Sequence, residues 1–381
     1  MNIVQDIISE AGKEYLEKFG AQVPGLHRKL ISDVSACRSG DFGGFQYYCT
    51  HCQKDYYAPR SCGNRSCPLC FTRKRLEWQL KVKEMMFPAP FFHLVFTLPS
   101  ELYDLSRHHQ KTCLGVLFQA SAKVLKQFST DPQLLGGTLG HISVLHTWGD
   151  RLNWHPHVHI LCSGLALNKE HGIKEVDDPR FLFSVKAMSI VFRAIYLKML
   201  KKALPKTIRI PYCPKSKNWV VYCDKVEQKK SSHLIDYLGR YIFRGPIDQH
   251  RIIKRQGSKV TFKYRKREGK KVIPSTMTLS EEEFLRRYLQ HVPQKGLNKV
   301  RYYGLFHPAH KRDLLQIQMM LFKGDALDDR TETILKAKEV LLECTQKLCP
   351  CCQKPLTLWA SLDRQQFQDL SPPIEQEGVA S

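Results

Sequence analysis

The chain has 381 residues, enough for about two or three domains with a well-buried core, and its hydrophobic fraction of 43% is ordinary for a globular protein. Its 59 Lys and Arg residues exceed its 36 Asp and Glu residues by 23, which predicts a polyanionic partner. Because the sequence has no apolar run of about 18 residues and no basic amphipathic anchor, this charge favours nucleic acid over an anionic membrane.

The N-terminal segment, residues 1–20, alternates apolar and charged side chains at helical spacing. It lacks the apolar core and the cleavage site of a signal peptide, so we expect an intracellular, cytoplasmic protein. In that compartment the 14 cysteines are expected to be thiols or metal ligands rather than disulfides.

A cysteine-rich module follows, with two CxxC pairs separated by residues 53–66. Each CxxC turn offers two sulfurs from one side, and this spacing suits tetrahedral zinc held by four thiolates. The predicted zinc ligands are Cys49, Cys52, Cys67 and Cys70, with Cys62 as the alternative ligand. Reduced core cysteine is the competing interpretation for Cys37 and Cys62, and a redox role is the competing hypothesis for the two pairs. Five basic residues surround the module and are consistent with a DNA-binding finger: Arg60, Arg65, Arg73, Lys74 and Arg75.

Helices and strands are expected to alternate after this module. Residues 75–86 and 103–128 are predicted helices, and residues 93–99 are a predicted strand. Gly136 and Gly137 mark a turn into a histidine-rich stretch. Helices and strands around an antiparallel hairpin predict the α+β class.

The histidine-rich stretch has the pattern of a β-hairpin. His157 and His159 are separated by one apolar residue in a β-prone run, so they point to one face of a strand, about 7 Å apart at Cβ, while Val158 and Ile160 turn into the core. Residues 141–148 read as the preceding strand and residues 149–156 as the connection. Folding this hairpin back would bring His146 close to the histidine pair.

Such a cluster has two interpretations. The histidines could be polar residues on the solvated face of a sheet. Imidazole is also the commonest protein metal ligand, and three histidines would leave coordination positions open for a substrate, as a catalytic metal requires. His155 is a weaker alternative to His146 as the third ligand.

A candidate nucleophile lies in residues 233–244, which carry apolar side chains at helical spacing. Tyr237 and Tyr241 are four residues apart and fall on one helix face, with the phosphate-binding side chains of Arg240 and Arg244 beside them. The alternative is that both rings pack into the core. A tyrosine nucleophile, a divalent metal and nearby arginines are what phosphodiester transesterification requires.

Residues 251–271 contain ten Lys or Arg and one acidic residue, alternating with Val260, Phe262 and Tyr264. This pattern predicts a basic β-hairpin laid along a DNA backbone, and a solvated surface hairpin is the alternative. The candidate phosphate contacts here are Arg251, Lys254, Arg255, Lys263, Arg265, Lys266 and Arg267.

The C-terminal part gives weaker signals. Residues 331–343 are a predicted charged amphipathic helix. Another CxxC pair, Cys349 and Cys352, with Cys351 between them and Cys344 nearby, could be half of a second zinc site whose other ligands the sequence does not indicate. Residues 371–381 have a composition typical of disorder.

The motif HPHVH at residues 155–159, followed by YLGRYIFR at residues 237–244, resembles the two-tyrosine HUH transposases of the insertion-sequence ninety-one and ISCR family. Further motifs of that family are matched in order over residues 30 to 310: CGNRSCPLC at 62–70, HLVFTLP at 93–99, VTFKY at 260–264, MTL at 277–279, EFLRRYL at 283–289 and GLNKVRYYG at 296–304. Several separate motifs in the right order point to this family more specifically than the HUH motif alone does.

The resemblance implies a central antiparallel sheet that carries the histidines, a tyrosine helix laid beneath it, and a small N-terminal zinc-binding module. It implies Mg²⁺ or Mn²⁺ at His157 and His159, with His146 as third ligand, and attack by Tyr237 or Tyr241 that leaves a 5′-phosphotyrosine and a free 3′-OH. We divide the chain into a zinc-binding module (1–75), a catalytic core (76–250), a DNA-contacting extension (251–325) and a C-terminal helix with a CxxC motif and tail (326–381).

The implied activity is nicking and rejoining of single-stranded DNA in rolling-circle transposition of an insertion sequence. Expected partners are single-stranded or hairpin transposon ends, a DNA target on the bacterial nucleoid, and a host helicase, because the sequence has no Walker-type GxxxxGK[ST] loop. The sequence does not indicate the oligomeric state. The alternative is a catalytically silent zinc-finger DNA-binding protein derived from such a transposase. A two-metal carboxylate nuclease and a histidine zinc hydrolase are disfavoured rivals, and neither would form a protein–DNA adduct.

Overall fold

The computed structural model describes residues 2–168, 170, 172–213, 217–226, 228–243, 245–268, 271–322 and 325–370, with the backbone alone for residues 228–233, 240, 241, 267 and 325–327. The described helices are α1 Ile3–Phe19, α2 Gly25–Ser35, α3 Thr72–Met85, α4 Tyr103–His108, α5 Gln110–Ser129, α6 Val185–Ala203, α7 Gln228–Phe243, α8 Glu281–Leu289, α9 Lys311–Leu321, α10 Asp325–Thr345 and α11 Arg364–Leu370. The described strands are β1 Gly44–Cys49, β2 Lys54–Pro59, β3 Phe91–Thr97, β4 Thr138–Trp148, β5 Trp154–Asn168, β6 Gly172–Glu175, β7 Val221–Val226, β8 Ile252–Gln256, β9 Lys259–Glu268, β10 Lys271–Ser280, β11 Val300–Gly304 and β12 Thr357–Leu362.

The central sheet has the strand order β11-β4-β5-β3-β7, with β6 paired to the end of β5. Its neighbouring strands are antiparallel. β4 and β5 form the long hairpin that the histidine pattern predicted, and His146 lies directly opposite His157 in its register. The α+β class with a central antiparallel sheet that carries the histidines is confirmed.

Helices cover both faces of this sheet, because its strands bury side chains in both directions. Val158 and Ile160 are fully buried and face α5 and α6, as their alternation with the histidines predicted. On the opposite face Val144 and Leu161 pack in one cluster with residues of α3, α7 and α9. The tyrosine helix and the histidines therefore share the second face.

A second sheet, β8-β9-β10, extends the predicted basic hairpin by a third strand that pairs with β9 along its whole length. Its buried residue Phe262 lies in one core with Leu30 of α2 and Phe284 and Tyr288 of α8. The N-terminal helices therefore pack on residues from the later part of the chain rather than on a core of their own.

The third sheet joins the two ends of the chain. Its order is β12-β1-β2, so a strand near the C-terminus pairs with the first strand of the cysteine module. The central sheet also includes a late strand, because β11 pairs with β4 at one edge of it. The four sequence segments are thus interleaved in space, because strand pairing joins residues that are far apart in the chain.

The predicted helices differ from the described ones in their bounds. The helix expected over residues 103–128 is divided into α4 and α5 at His109, whose φ of −116° and ψ of 48° interrupt the helical backbone. The helix that apolar spacing predicts over residues 181–204 is α6, which starts at Val185, where the Ser184 side chain caps it by accepting from the Ala187 N–H. α10 is longer than predicted at both ends. In the described part of the chain, no helix is long and apolar enough to cross a membrane.

Candidate metal and nucleophile site

Three histidine side chains meet on the face of the central sheet that α7 covers. His146, His157 and His159 each offer a ring nitrogen, and these nitrogens lie within 4.8 Å of one another. All three residues are buried. The strand alternation that aligns His157 with His159, and the hairpin register that sets His146 opposite His157, together produce the cluster.

Hydrogen bonds orient the two rings of the HPHVH motif. His157 Nδ1 lies 2.6 Å from the His155 carbonyl oxygen and donates to it, which leaves the Nε2 lone pair of His157 facing the cluster. His159 Nδ1 lies 2.8 Å from His93 Nε2, and donation in this direction leaves Nε2 of His159 as an acceptor too. The two Nε2 atoms are 3.1 Å apart, close to the separation of about 3 Å between adjacent ligands of an octahedral cation with bonds of about 2.1 Å. The donor set therefore fits a divalent cation.

Burial keeps these imidazoles neutral near pH 7. It lowers the pKa of His157 to about 3 and holds the pKa values of His146 and His159 well below the ordinary value of 6.5. The neutral ring is the form that binds a metal ion.

His93, on β3, is a residue whose role the sequence analysis missed. Its ring stacks on that of His159 at a centroid distance of 5.1 Å and an interplanar angle of 6°. Desolvation lowers the pKa of His93 to about 4, although Asp224, its opposite residue on β7, acts in the other direction. The alternation of His93, Val95 and Thr97 on β3 was the available signal, but only the pairing of β3 with β5 brings His93 to His159.

Tyr237 lies at the edge of the histidine cluster. Its ring centroid is 5.9 Å from that of His159, with the two planes at 76°. The preceding residue, Asp236, accepts a hydrogen bond of 3.0 Å from Gln79 of α3, which anchors α7. Gly239 allows α7 to lie this close to α3, since an added Cβ at Gly239 would lie 3.0 Å from Gln79 Nε2.

The remaining predicted residues of this helix are less fully described. Tyr241 lies one helical turn after Tyr237, and its side chain and that of Arg240 fall outside the described set. Arg244 lies outside the described residues altogether.

His155 does not join the three-histidine cluster in the structure. Its Nδ1 is hydrogen-bonded to the Tyr103 hydroxyl, and its ring packs edge-on against the tyrosine ring. The structure thus brings His146, and not His155, to His157 and His159.

A basic groove borders the β4–β5 turn. His155 lines it together with six basic residues: Arg107, Arg151, Arg265, Lys266, Arg286 and Arg287. Glu283 forms ion pairs with both Arg286 and Arg287. Two of the predicted DNA-contacting residues, Arg265 and Lys266, are exposed in this groove, where Arg265 lies 3.5 Å from Asp150 and Lys266 lies 2.6 Å from Glu268.

Other predicted DNA-contacting residues lie elsewhere. Arg255 does not line the groove, and its carboxylate partners, Glu281 at 2.6 Å and Glu10 at 2.8 Å, join its charge to α1 and α8. Arg251 donates to the Lys263 carbonyl oxygen. Lys254 and Lys263 are exposed but do not line the groove, and the Arg267 side chain is not described.

The described cysteines form two four-residue clusters, neither of which is the predicted set, and the second contains the Cys349 and Cys352 pair suggested as half of a second zinc site. Cys67 and Cys70 meet Cys37 and Cys62, whereas Cys49 and Cys52 meet two cysteines of the C-terminal segment, Cys349 and Cys352. The predicted set is divided because Cys49 and Cys52 occupy the tip of the β1–β2 hairpin, and the six residues of β2 extend about 20 Å to the other end. Cys62, the alternative ligand, and Cys37 take the two places that the sequence analysis had given to Cys49 and Cys52.

The first of these clusters fits zinc. Its sulfur atoms are separated by 3.7 Å (Cys37 to Cys70), 3.6 Å (Cys62 to Cys70) and 3.7 Å (Cys67 to Cys37). Four sulfurs at about 2.3 Å from one tetrahedral zinc ion are about 3.8 Å apart, whereas a disulfide would need about 2.05 Å.

Comparisons with known proteins agree with these observations. A family model described as a putative transposase matches residues 140–313, and one described as a transposase zinc-binding domain matches residues 7–98. A putative transposase (y4qJ) of Sinorhizobium fredii is 28% identical over 374 residues, which cover 91% of this chain and 93% of the relative. The transposase for insertion sequence element IS801 of Pseudomonas savastanoi pv. phaseolicola is 27% identical over 290 residues, 72% of this chain and 69% of the relative.

No solved structure matches the chain. The two family models cover the segments that contain the histidine and tyrosine motifs and the N-terminal cysteine cluster, and the relatives are named as a putative transposase and a transposase. Together these matches support an insertion-sequence ninety-one family transposase with an N-terminal transposase zinc-binding domain.

Proposed function

We propose that this transposase nicks and rejoins single-stranded DNA at the histidine cluster through a covalent tyrosine–DNA intermediate, in a rolling-circle type of transposition. The observation that carries the proposal is the edge-on contact of Tyr237 with His159, a member of a buried cluster of three neutral imidazoles. A phenol beside a metal site with only three protein ligands, which leaves coordination positions for the substrate, is the arrangement that in-line attack on a phosphodiester needs.

The reaction exchanges one phosphoester bond for another. The phenolate oxygen of the tyrosine attacks phosphorus, the bond from phosphorus to the 3′ oxygen breaks, and that oxygen takes a proton and leaves as a free 3′-OH. The product is a 5′-phosphotyrosine that keeps the ester bond, so the reverse reaction rejoins DNA without a nucleotide cofactor. Mg²⁺ or Mn²⁺ held by His146, His157 and His159 would supply charge stabilisation for a non-bridging phosphate oxygen.

Tyr237 is the better candidate for the first nucleophile, because its ring packs edge-on against His159 of the cluster. Tyr241 begins one turn further along the same helix. Two tyrosines would let one hold the first DNA end while the other attacks a second strand.

The proposal is tested with single-stranded DNA that carries a transposon end and is labelled on the 3′ side of the nick. With Mn²⁺, the unaltered protein is expected to give a labelled covalent adduct on a denaturing gel, and EDTA should abolish it. Tyr237→Phe should reduce first-strand adduct at least about a hundredfold, because the nucleophilic oxygen is lost. Tyr241→Phe should retain it, and the double variant should give none.

Cleavage without an adduct would contradict the proposal and favour a hydrolase. A chain that binds the DNA end but gives no cleavage, with or without its tyrosines and histidines, would instead be the silent DNA-binding alternative.

His93 is proposed as a positioning residue, since it accepts from His159 and holds the ring that faces the cation. His93→Ala is expected to raise the Mn²⁺ concentration for half-maximal cleavage by about 10- to 100-fold, with most of the rate restored at excess Mn²⁺. His93→Gln, whose amide oxygen can accept the same hydrogen bond, should recover part of the affinity. The readout is a Mn²⁺ titration of initial cleavage rates.

His141→Ala is the matched control for this titration, because His141 is a buried histidine of the same sheet, on β4, that lies outside the cluster. If His93→Ala lowered the rate without changing the Mn²⁺ requirement, or if both variants changed it equally, the positioning role would be contradicted.

The basic groove is proposed as the path of the DNA strand, because it adjoins the turn of the histidine hairpin. Arg265→Ala with Lys266→Ala is expected to weaken single-stranded DNA binding and to reduce the slope of log affinity against log salt by about 1.4, that is, about 0.7 for each of two lost phosphate contacts. Binding is measured by fluorescence anisotropy over a range of salt concentrations.

Lys123→Ala with Lys126→Ala removes the same charge from exposed positions on α5, which covers the other face of the central sheet. This control should leave the slope nearly unchanged. Equal slopes for the two double variants would rule out the groove as a specific DNA path.

A further inference from the structure

The second cysteine cluster joins residues from the two ends of the chain. The sulfur of Cys49 lies 3.6 Å from that of Cys352, and the sulfur of Cys52 lies 3.8 Å from that of Cys349. Cys49 and Cys349 are fully buried, and Cys52 and Cys352 are half-buried. The family model for the zinc-binding domain ends at residue 98, so it includes only one of these two pairs.

The two CxxC turns have the same backbone geometry although they are about 300 residues apart. In each turn the residue after the second cysteine is a glutamine with a left-handed backbone, with φ of 54° at Gln53 and 57° at Gln353. Each glutamine N–H donates to the carbonyl oxygen of the first cysteine of its pair, at 2.8 Å and 2.9 Å. The turns thus present two pairs of sulfurs toward each other in the same way.

The donor set fits zinc and closes the coordination sphere. Both sulfur–sulfur distances match the separation of about 3.8 Å expected for thiolates around one tetrahedral zinc ion. The Cys52 N–H lies 3.4 Å from Cys49 Sγ, and the Tyr56 hydroxyl lies 3.2 Å from Cys349 Sγ, so each could donate to a thiolate. Four sulfurs leave no position for a substrate, which is typical of a structural site.

We propose that Cys49, Cys52, Cys349 and Cys352 form a second structural zinc site, separate from the Cys37 cluster, which fastens the C-terminal segment to the N-terminal module. The chain therefore carries two tetrathiolate zinc sites, and one of them is assembled from its two ends.

The surroundings explain why a metal is needed at this place. β12 is mostly exposed where it pairs with β1, and much of β2 is only half-buried, so this three-stranded sheet has a small core. Other contacts also hold the segment: Phe367 packs over Gly44, where an added Cβ would lie 1.9 Å from its ring, the Trp359 ring lies 5.6 Å from that of Tyr48, and Arg364 forms an exposed ion pair with Asp41. A metal can supply the stability that so small a core does not.

The direct test is the zinc content of the full chain by mass spectrometry, in a His157→Ala, His159→Ala background that takes the histidine cluster out of the count. The parent is expected to hold about two zinc ions per chain. Cys349→Ser with Cys352→Ser, and separately Cys49→Ser with Cys52→Ser, should each lower the content to about one. The quadruple variant should also hold about one, because both pairs belong to one site.

Cys344→Ser with Cys351→Ser is the matched control, since both cysteines are exposed and lie outside the two clusters. It should keep about two zinc ions. Unchanged zinc in the Cys349 and Cys352 variant would overturn the proposal, as would a further loss in the quadruple variant beyond that of either pair.

Alkylation of the unaltered chain gives a second test that needs no variant to fold. Cys52 and Cys352 are only half-buried, so slow reaction of their thiols would report bound zinc rather than burial. With zinc, both should be alkylated much more slowly than Cys344 and Cys351, and a chelator should remove the protection. Alkylation of Cys352 as fast as that of Cys351 in the zinc-loaded chain would contradict the second site.

Discussion

The antiparallel register of β4 and β5 is the constraint on which the site depends. It sets His146 opposite His157, and the alternation of β5 puts His159 on the same face. A slip of one residue would turn the histidines of one strand to the face of α5 and α6. Val158 and Ile160, fully buried on that face, oppose such a slip because it would expose them to the polar cluster. Core packing on one face therefore fixes the site on the other.

The sequence predicted those parts of the site that depend on local periodicity. Two-residue alternation aligned His157 with His159, and the four-residue spacing of Tyr237 and Tyr241 placed both on one helix face. The contact of Tyr237 on α7 with His159 on β5 joins residues that are far apart in the chain. It was predicted only through the family resemblance. His93 was missed for the same reason, because its role arises from the pairing of β3 with β5.

Long-range pairing also accounts for the predictions that the structure changed. Sequence proximity suggested that Cys49 and Cys67 hold the same zinc ion, but the β1–β2 hairpin carries Cys49 away from Cys67 and toward the C-terminal segment. Arg255 had the pattern of a DNA contact, and its carboxylate partners come from α1 and the start of α8. In both cases the deciding residue is far away in the chain, where periodicity and spacing carry no information.

If the histidine cluster and Tyr237 act as one site, the nicked DNA is joined to Tyr237. The most direct measurement is therefore to identify the residue that carries the DNA. The covalent adduct formed with Mn²⁺ is digested with a nuclease and trypsin and analysed by mass spectrometry. Arg240 separates the two tyrosines, so Tyr237 falls in the peptide of residues 231–240 and Tyr241 in that of residues 241–244. We predict that the first-strand nucleotide remains on the peptide of residues 231–240. A nucleotide found only on residues 241–244, or on neither peptide while cleavage proceeds, would contradict the account.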